Sequence, residues 1–222
     1  DRFLDLFIRR GADALAHRGP DSSGVWTDAS AGIALGHRRL AILDLSDEGR
    51  QPMTSASGRY VVTYNGEIYN YRELRAELIS APGPPPFRGS SDTEVMLAAI
   101  DQWGVEESVR RFNGMFAFAL WDRRERLLHL VRDRLGEKPL YYARLGKSFL
   151  FASELKALRA HPPFDAMEPA VKGFIADYHA KRDLSAQLTE PRLLPAHEPA
   201  APPGPEPESL RVAMPTVPGG AQ

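Results

Sequence analysis

The sequence predicts an α+β domain built in layers, with antiparallel strands packed against two or three helices. Three observations support this class. Short runs of β-branched and aromatic residues, such as 60–64 and 115–121, are typical of half-buried strands. Charged or glycine-containing turns join neighbouring runs, as in hairpins. Apolar residues at helical spacing, as in 3–15, indicate helices that bury one face.

The elements follow in a regular order along the chain. Strands are predicted over 25–27, 32–35, 40–45, 60–64, 115–121, 127–131, 140–145 and 148–152. Helices are predicted over 3–15 and 71–79, and a third begins at Ser91, which forms an S-x-x-E capping box with Glu94. The third helix should bury one stripe, made of Met96, Ala99, Ile100 and Trp103.

The composition divides the chain into three regions. Residues 1–160 carry the strands and helices of one domain, and 161–190 form an uncertain transition. Residues 191–222 contain nine prolines and no aromatic residue. Such a segment buries too little apolar surface to offset its chain entropy, so a disordered Pro-rich tail is predicted.

Charge and residue usage exclude several classes of function. Lys+Arg number 28 against Asp+Glu 29, so no global field attracts nucleic acid or an anionic membrane. There is no transmembrane run of apolar residues and no signal-peptide core, which predicts a cytoplasmic protein. The sequence has no cysteine, and its six histidines form no metal-binding motif. No phosphate-binding loop is present, so neither a metal nor a nucleotide cofactor is predicted for these residues.

The stretch VVTYNGEIYNYRELR, residues 61–75, begins as a strand and is then interrupted by Asn65, Gly66 and Glu67. Asn-Gly is a strong hairpin signal, so the strand is predicted to stop there and a turn is one interpretation. Arg39 and Asp92 have equally plain interpretations, as an edge charge and a helix-cap residue. Taken together, however, these residue types suit an α-amino acid substrate. Arginine holds a carboxylate, aspartate pairs with an ammonium, and an amide beside a glycine N–H binds an oxyanion.

Seven motifs in sequence order identify a family resemblance. They are AHRGPDSSGVW (16–26), GHRRLAILDLS (36–46), YNGEIYNYRELR (64–75), GSSDTEVML (89–97), FNGMFAFALWD (112–122), RDRLGEKPLYY (132–142) and FASELKAL (151–158). They resemble the glutaminase domain of glutamine-hydrolysing asparagine synthetases, a class II glutamine amidotransferase. The resemblance covers about residues 10–160 and implies an N-terminal-nucleophile-type αββα sandwich of antiparallel sheets.

The resemblance also implies a binding site for L-glutamine. Its candidate residues are Arg39, Leu40, Ala41, Ile42, Leu43, Asn65, Gly66, Glu67 and Asp92. By motif, Arg39 would bind the α-carboxylate, and the four residues after it would shape the pocket wall. Asn65 and Gly66 would form the oxyanion hole, Glu67 would hold polar atoms of the substrate, and Asp92 would take the α-ammonium.

This sequence departs from the family pattern at its start. Family members begin with a nucleophilic cysteine on a first strand, whereas this chain starts at Asp1 and contains no cysteine. We therefore expect the first strand of the fold to be missing and the chain by itself to be inactive. The synthetase half, with its sites for ATP and Mg²⁺, is also not recognisable here. A homodimer is compatible with the resemblance.

Three hypotheses follow for the function. The chain is a glutaminase fragment of an ATP-dependent asparagine synthetase, which uses ammonia from glutamine to amidate aspartate. Alternatively, it is a non-catalytic glutamine-binding pseudo-amidotransferase that acts through a partner. The third hypothesis is a non-functional truncated gene product that does not fold.

Overall fold

The computed structural model describes residues 2–40, 49–145, 147–161 and 209–213. The strands of these residues are β1 Ser22–Asp28, β2 Ile33–Arg39, β3 Met53–Thr54, β4 Tyr60–Ile68, β5 Gly114–Asp122, β6 Leu127–Arg132, β7 Tyr141–Leu145, β8 Ser148–Ala152 and β9 Ser209–Ala213. They form three antiparallel sheets, in the order β1-β2, β3-β4-β5-β6-β9 and β7-β8.

The helices of the described residues lie on the outer faces of these sheets. Their bounds are α1 Arg2–Asp13, α2 Tyr71–Ser80, α3 Asp92–Trp103, α4 Val105–Arg111 and α5 Leu155–Arg159, with a short 3₁₀ turn at Ala16–Arg18. Helix α1 packs on β1 and β2, and α5 packs on α1 and β8. Helices α2, α3 and α4 pack against one another, and α3 also covers β4. This order of layers confirms the predicted αββα sandwich.

The two inner layers share an apolar core. Leu35 of β2 and Val61 of β4 are fully buried in it together with Trp121 of β5. Because side chains alternate across a strand, Thr63, Asn65 and the other odd-numbered residues of β4 also face this interior. The even-numbered residues of β4, such as Val62 and Tyr64, lie in a second core beneath the helices.

Helix α3 is the central element of that second core. It is buried along most of its length, with Met96, Ala99 and Ile100 fully buried and Trp103 partly buried. The predicted helix start is confirmed, since Ser91 Oγ accepts a hydrogen bond from Glu94 N at 3.3 Å. The prediction is wrong for the second hydrogen bond of the capping box, in which the Glu94 carboxylate would accept from the Ser91 N–H. Glu94 turns its carboxylate to the main-chain N–H groups of the preceding loop, at Arg88 (2.6 Å) and Gly89 (3.0 Å).

The predicted end of the strand at Asn65 is also wrong, because β4 continues to Ile68. Pairing with β5 carries the strand through the Asn-Gly dipeptide, with Asn65 opposite Ala117 and Gly66 opposite Phe116. Glycine is required at 66, where an added Cβ would lie 2.3 Å from the Met115 carbonyl oxygen. Tertiary pairing therefore overrides the local turn preference.

Other predictions meet the limits of the described residues. The strand predicted over 40–45 falls almost wholly outside them, and Leu40, which is described, is not in a strand. Of the predicted transition 161–190, only His161 is described. Within the predicted disordered tail, residues 209–213 pair with β6 as strand β9. The remainder of 191–222 lies outside the described residues.

Candidate functional site

The candidate residues gather at one end of the sandwich. Strands β2 and β4 run in the same direction across the interior, because Leu35 packs near Val61 and His37 contacts Thr63. Strand β6 is antiparallel to β5 and so runs with β4. These three strands therefore end at the same end of the sandwich, which we call the site end.

Asn65 and Gly66 offer hydrogen-bond donors in two directions at the site end. The side chain of Asn65 faces the interior, and its Nδ2 is buried without a hydrogen-bond partner among the described residues. The N–H of Gly66 points along the sheet plane, away from β5. A buried, unpaired amide is costly in a folded protein, so a position like Asn65 indicates a site that a ligand completes.

Asp92 reaches the same strand from the helix layer. It is the first residue of α3 and is only 5% exposed. Its Oδ2 accepts hydrogen bonds from the Tyr64 hydroxyl at 2.6 Å and from Ile68 N at 3.0 Å. Burial, reinforced by the nearby Asp92 carboxylate, raises the pKa of Tyr64 well above its ordinary value, so Tyr64 remains a neutral donor. These contacts fix the orientation of the carboxylate.

Arg39 is presented by the facing sheet, at the end of β2. Its main-chain oxygen accepts a hydrogen bond from Asp21 N at 3.1 Å. Its guanidinium lies against Gly49, where an added Cβ would come within 2.1 Å of Nη2. Arg39 lies one step beyond His37 on the interior face of β2, as Asn65 lies one step beyond Thr63 on β4. The structure thus places Arg39 and Asn65 at corresponding positions of two facing strands.

His37 separates this polar end from the apolar core. Its Nδ1 lies 3.3 Å from the Thr63 hydroxyl, which itself donates to the Gly36 carbonyl at 3.2 Å. Because the single hydroxyl proton is used there, Thr63 accepts from His37, which assigns the ring proton to Nδ1. Burial, together with the positive charge of Arg39, lowers the pKa of His37 to about 4. The residue is a neutral structural histidine at neutral pH.

A loop held by hydrogen bonds, residues 133–138, follows β6 at the site end. The Asp133 carboxylate accepts four main-chain hydrogen bonds at 3.0–3.2 Å, from the N–H groups of Phe116, Leu135, Glu137 and Lys138. Burial alone would raise the pKa of Asp133, but these hydrogen bonds outweigh it and lower the pKa below its ordinary value. Phe116 lies between Asp133 and Gly66, so the loop supports the strand next to the candidate oxyanion site.

A separate open cleft lies away from these residues. It measures about 510 Å³ and lies at the opposite end of the sandwich, between the β1–β2 and β5–β6 turns. Its arginines already have partners, since Arg59 pairs with Asp122, Arg123 donates to the Gly58 carbonyl and Arg126 donates to the Ser30 carbonyl. The cleft contains none of the predicted site residues, and the buried polar groups mark the site end as the better candidate.

The structure thus brings five predicted residues to one end of the fold. Asn65, Gly66 and Glu67 share β4, Asp92 is bonded to that strand, and Arg39 faces it. Leu40 is 54% exposed, and 41–43 lie outside the described residues, so the predicted pocket wall stays a prediction.

Sequence reasoning missed two residues of this region. The Gln51 side chain accepts a hydrogen bond from the main-chain N–H of Tyr64 in β4, and the Tyr64 hydroxyl donates to Asp92. Only the strand register reveals the role of Gln51, and no motif marks it.

Two other kinds of feature are absent from the described residues. No helix there is long and apolar enough to cross a membrane. No group of three or more His, Asp or Glu side chains within the described ranges is placed to hold a metal ion.

Residues 5–198 match the family described as the glutamine amidotransferase domain. Asparagine synthetase [glutamine-hydrolyzing] 3 of Bacillus subtilis is 48% identical over 159 residues, which is 71% of this chain and 25% of that protein. The putative asparagine synthetase [glutamine-hydrolyzing] of Mycobacterium tuberculosis is 44% identical over 158 residues, covering 68% of this chain and 24% of that protein. The chain therefore spans about a quarter of the length of these curated relatives.

Solved structures agree at the level of the fold. The glutamine phosphoribosylpyrophosphate amidotransferase of Bacillus subtilis superposes with a TM-score of 0.58 at 24% identity, over 69% of this chain and 40% of that one. An allosteric regulatory enzyme of purine biosynthesis gives a TM-score of 0.60 at 22% identity, over 70% of this chain and 40% of that one. With a family match over most of its length, this chain belongs to the glutamine amidotransferase domain family.

Proposed function

We propose that the chain is the glutaminase domain of a glutamine-dependent asparagine synthetase, and that its site end binds L-glutamine. One observation carries the proposal: Asn65 Nδ2, beside the Gly66 N–H, is buried and has no hydrogen-bond partner within the part of the chain that the structure describes. Two such donors suit the oxygen of a carboxamide that becomes an oxyanion when the amide carbon is attacked. The names of the relatives support a synthetase context.

The remaining groups account for the α-amino acid part of the substrate. Arg39 would hold the α-carboxylate through paired hydrogen bonds from its guanidinium. Asp92, already oriented by Tyr64 and Ile68, would pair with the α-ammonium. Glu67 lies on the interior face of β4 two residues beyond Asn65 and would accept hydrogen bonds from the substrate N–H groups. No cofactor is assigned to these residues, and ATP with Mg²⁺ would serve the synthetase part.

The chemistry of glutamine hydrolysis also needs a nucleophile and a base. The 222 residues contain no cysteine, so a thioester cannot form on a cysteine of this stretch. The residues present would bind glutamine and stabilise negative charge on its amide oxygen. Binding without turnover is also what a pseudo-amidotransferase, the second candidate, would show.

Calorimetric titration of L-glutamine into the 222-residue chain tests the proposal. We expect binding by the unmodified chain and a loss of affinity of about tenfold or more for Arg39→Ala, because a charge-assisted pair is removed. Arg124→Ala is the matched control, since that side chain is 75% exposed in the turn at the opposite end. Failure of the unmodified chain to bind glutamine, or equal affinity for Arg39→Ala, would refute the assignment.

A second assay addresses turnover. We expect no ammonia release when these 222 residues alone are incubated with glutamine, because an oxyanion site without a nucleophile forms no acyl intermediate. Ammonia can be followed by coupling to glutamate dehydrogenase. Release above the blank, lost on Asn65→Ala, would show that another residue of the chain acts as the nucleophile.

A further inference from the structure

The ladder between β4 and β5 determines where the N–H groups of β4 point. At one end, Arg123 N donates to Arg59 O, and at the other end Tyr69 N donates to Asn113 O. Odd-numbered residues of β4 therefore bond to β5. Since alternate residues of an antiparallel strand face opposite neighbours, the N–H groups of Tyr64, Gly66 and Ile68 point to the other edge.

The first part of this other edge is an ordinary strand pair. Ser55 N donates to Tyr60 O at 2.9 Å, and Met53 lies opposite Val62. Strand β3 spans only Met53–Thr54, and Pro52 precedes it. Continuing the same register places Gln51 opposite Tyr64.

Gln51 completes the ladder with its side chain. Its Oε1 accepts a hydrogen bond from Tyr64 N at 2.7 Å, in place of a main-chain carbonyl. Its own carbonyl packs against β1, where a Cβ added at Gly24 would lie 1.9 Å from Gln51 O. The Gln51 side chain thus supplies the acceptor that a main-chain carbonyl would supply in a longer strand, while its own carbonyl lies close to Gly24 of β1.

Further along the same edge of β4, the N–H of Ile68 donates to the Asp92 carboxylate. Tyr64 connects the two partners, since its N–H bonds to Gln51 and its hydroxyl bonds to Asp92 at 2.6 Å. Gly66 lies between these two held positions, with its N–H directed outward. Because the N–H groups of Tyr64 and Ile68 on either side are hydrogen-bonded, the direction of the Gly66 N–H is restricted.

We propose that Gln51 and Tyr64 are positioning residues that hold the edge of β4 so that the Gly66 N–H is aimed at the amide oxygen of glutamine. This inference rests on the proposed function. Asn65 Nδ2 would approach this oxygen from the interior face of the sheet, and the Gly66 N–H would approach it from the strand edge. Loss of one oxyanion donor in enzymes costs about 10²–10³ in rate, which makes the direction of each N–H important.

Amide hydrogen exchange of the 222-residue chain, followed by NMR, tests the held edge without any ligand. We expect slow exchange at Tyr64 and Ile68 and fast exchange at Gly66 between them. Gln51→Met removes the acceptor at similar volume and should speed exchange at Tyr64 at least tenfold, whereas Gln51→Glu keeps an acceptor oxygen and should restore protection. An unchanged exchange rate at Tyr64 in Gln51→Met would contradict the claim that the Gln51 side chain holds the Tyr64 N–H.

Titration with L-glutamine then tests the positioning role. Glutamine should shift the Gly66 amide resonance and slow its exchange in the unmodified chain. Gln51→Met and Tyr64→Phe should each weaken this response and raise the Kd about tenfold, with Gln51→Glu close to the unmodified chain. Tyr64→Phe keeps the ring, so it preserves packing if Gln51→Met is poorly folded.

The outcomes separate the two proposals. If glutamine binds with the same Kd and the same Gly66 shift in all variants, the positioning role fails while the proposed function stands. If the unmodified chain binds no glutamine, the proposed function and the positioning of the Gly66 N–H toward glutamine are both refuted. The exchange at Tyr64 then reports only on the hydrogen bond to Gln51.

Discussion

Replacing Asp133 by asparagine should destabilise the fold markedly, because its carboxylate is the common acceptor for the loop after β6. The aspartate accepts four main-chain N–H bonds, at Phe116, Leu135, Glu137 and Lys138. An asparagine offers one carbonyl oxygen, which keeps two of them, and turns an NH₂ group toward the other two. Each stranded donor costs about 1–2 kcal/mol, and losing the charge weakens the two remaining bonds. The expected loss is about 3–5 kcal/mol.

Urea denaturation measures this loss. The buried Trp121 in the interior of the sandwich reports unfolding by fluorescence, and the midpoint and slope give the free energy of unfolding. Asp5→Asn is the matched control, since Asp5 is an exposed member of an i,i+4 pair on α1 and should change the free energy by less than about 1 kcal/mol. A loss below about 1 kcal/mol for Asp133→Asn would refute the reasoning.

Two further predictions concern Arg39 and His37. Gly49→Ala should push the Arg39 guanidinium aside and raise the Kd for glutamine about tenfold in a calorimetric titration, with Gly11→Ala, whose new Cβ meets only ordinary contacts, as control. An unchanged Kd would separate Gly49 from the site. The pKa of His37, about 4 when folded and 6.5 as its ordinary value, makes the unfolded chain bind more protons between these pH values. The free energy of unfolding is therefore unaffected by His37 above pH 6.5, and protonation of this residue in the unfolded chain lowers it by about 3 kcal/mol toward pH 4. His37→Gln should flatten that part of the pH profile of the free energy of unfolding, and parallel profiles would contradict the assignment.

Much of the fold could be predicted from the sequence because its signals are local. The stripe of Met96, Ala99 and Ile100 has the period of a helix and is buried as predicted. The charged turn after Asp122 joins two strands that pair as a hairpin. Each of these features depends on residues within a few positions of one another, so composition and spacing suffice to recognise them.

The predictions that failed depend on distant partners. Asn65-Gly66 has the composition of a turn but remains in a strand, because β5 pairs with it across about 50 residues of chain. Strand β3 is two residues long and has no periodicity to detect. The Glu94 carboxylate accepts hydrogen bonds from the N–H groups of the preceding loop and not from the Ser91 N–H that a capping box predicts, since packing determines the loop geometry.

The candidate site divides in the same way. The residue types alone, an arginine, an amide beside a glycine and an aspartate, already suited an α-amino acid, and the ordered motifs named the family. Only the tertiary structure decided that Arg39 and Asn65 occupy corresponding positions on facing strands and that Asp92 is held by Tyr64. It alone showed that the side chain of Gln51 stands in for a strand beside Tyr64. Residue chemistry is carried by the sequence itself, whereas the direction of a hydrogen-bond donor is set by strand register, which long-range pairing creates.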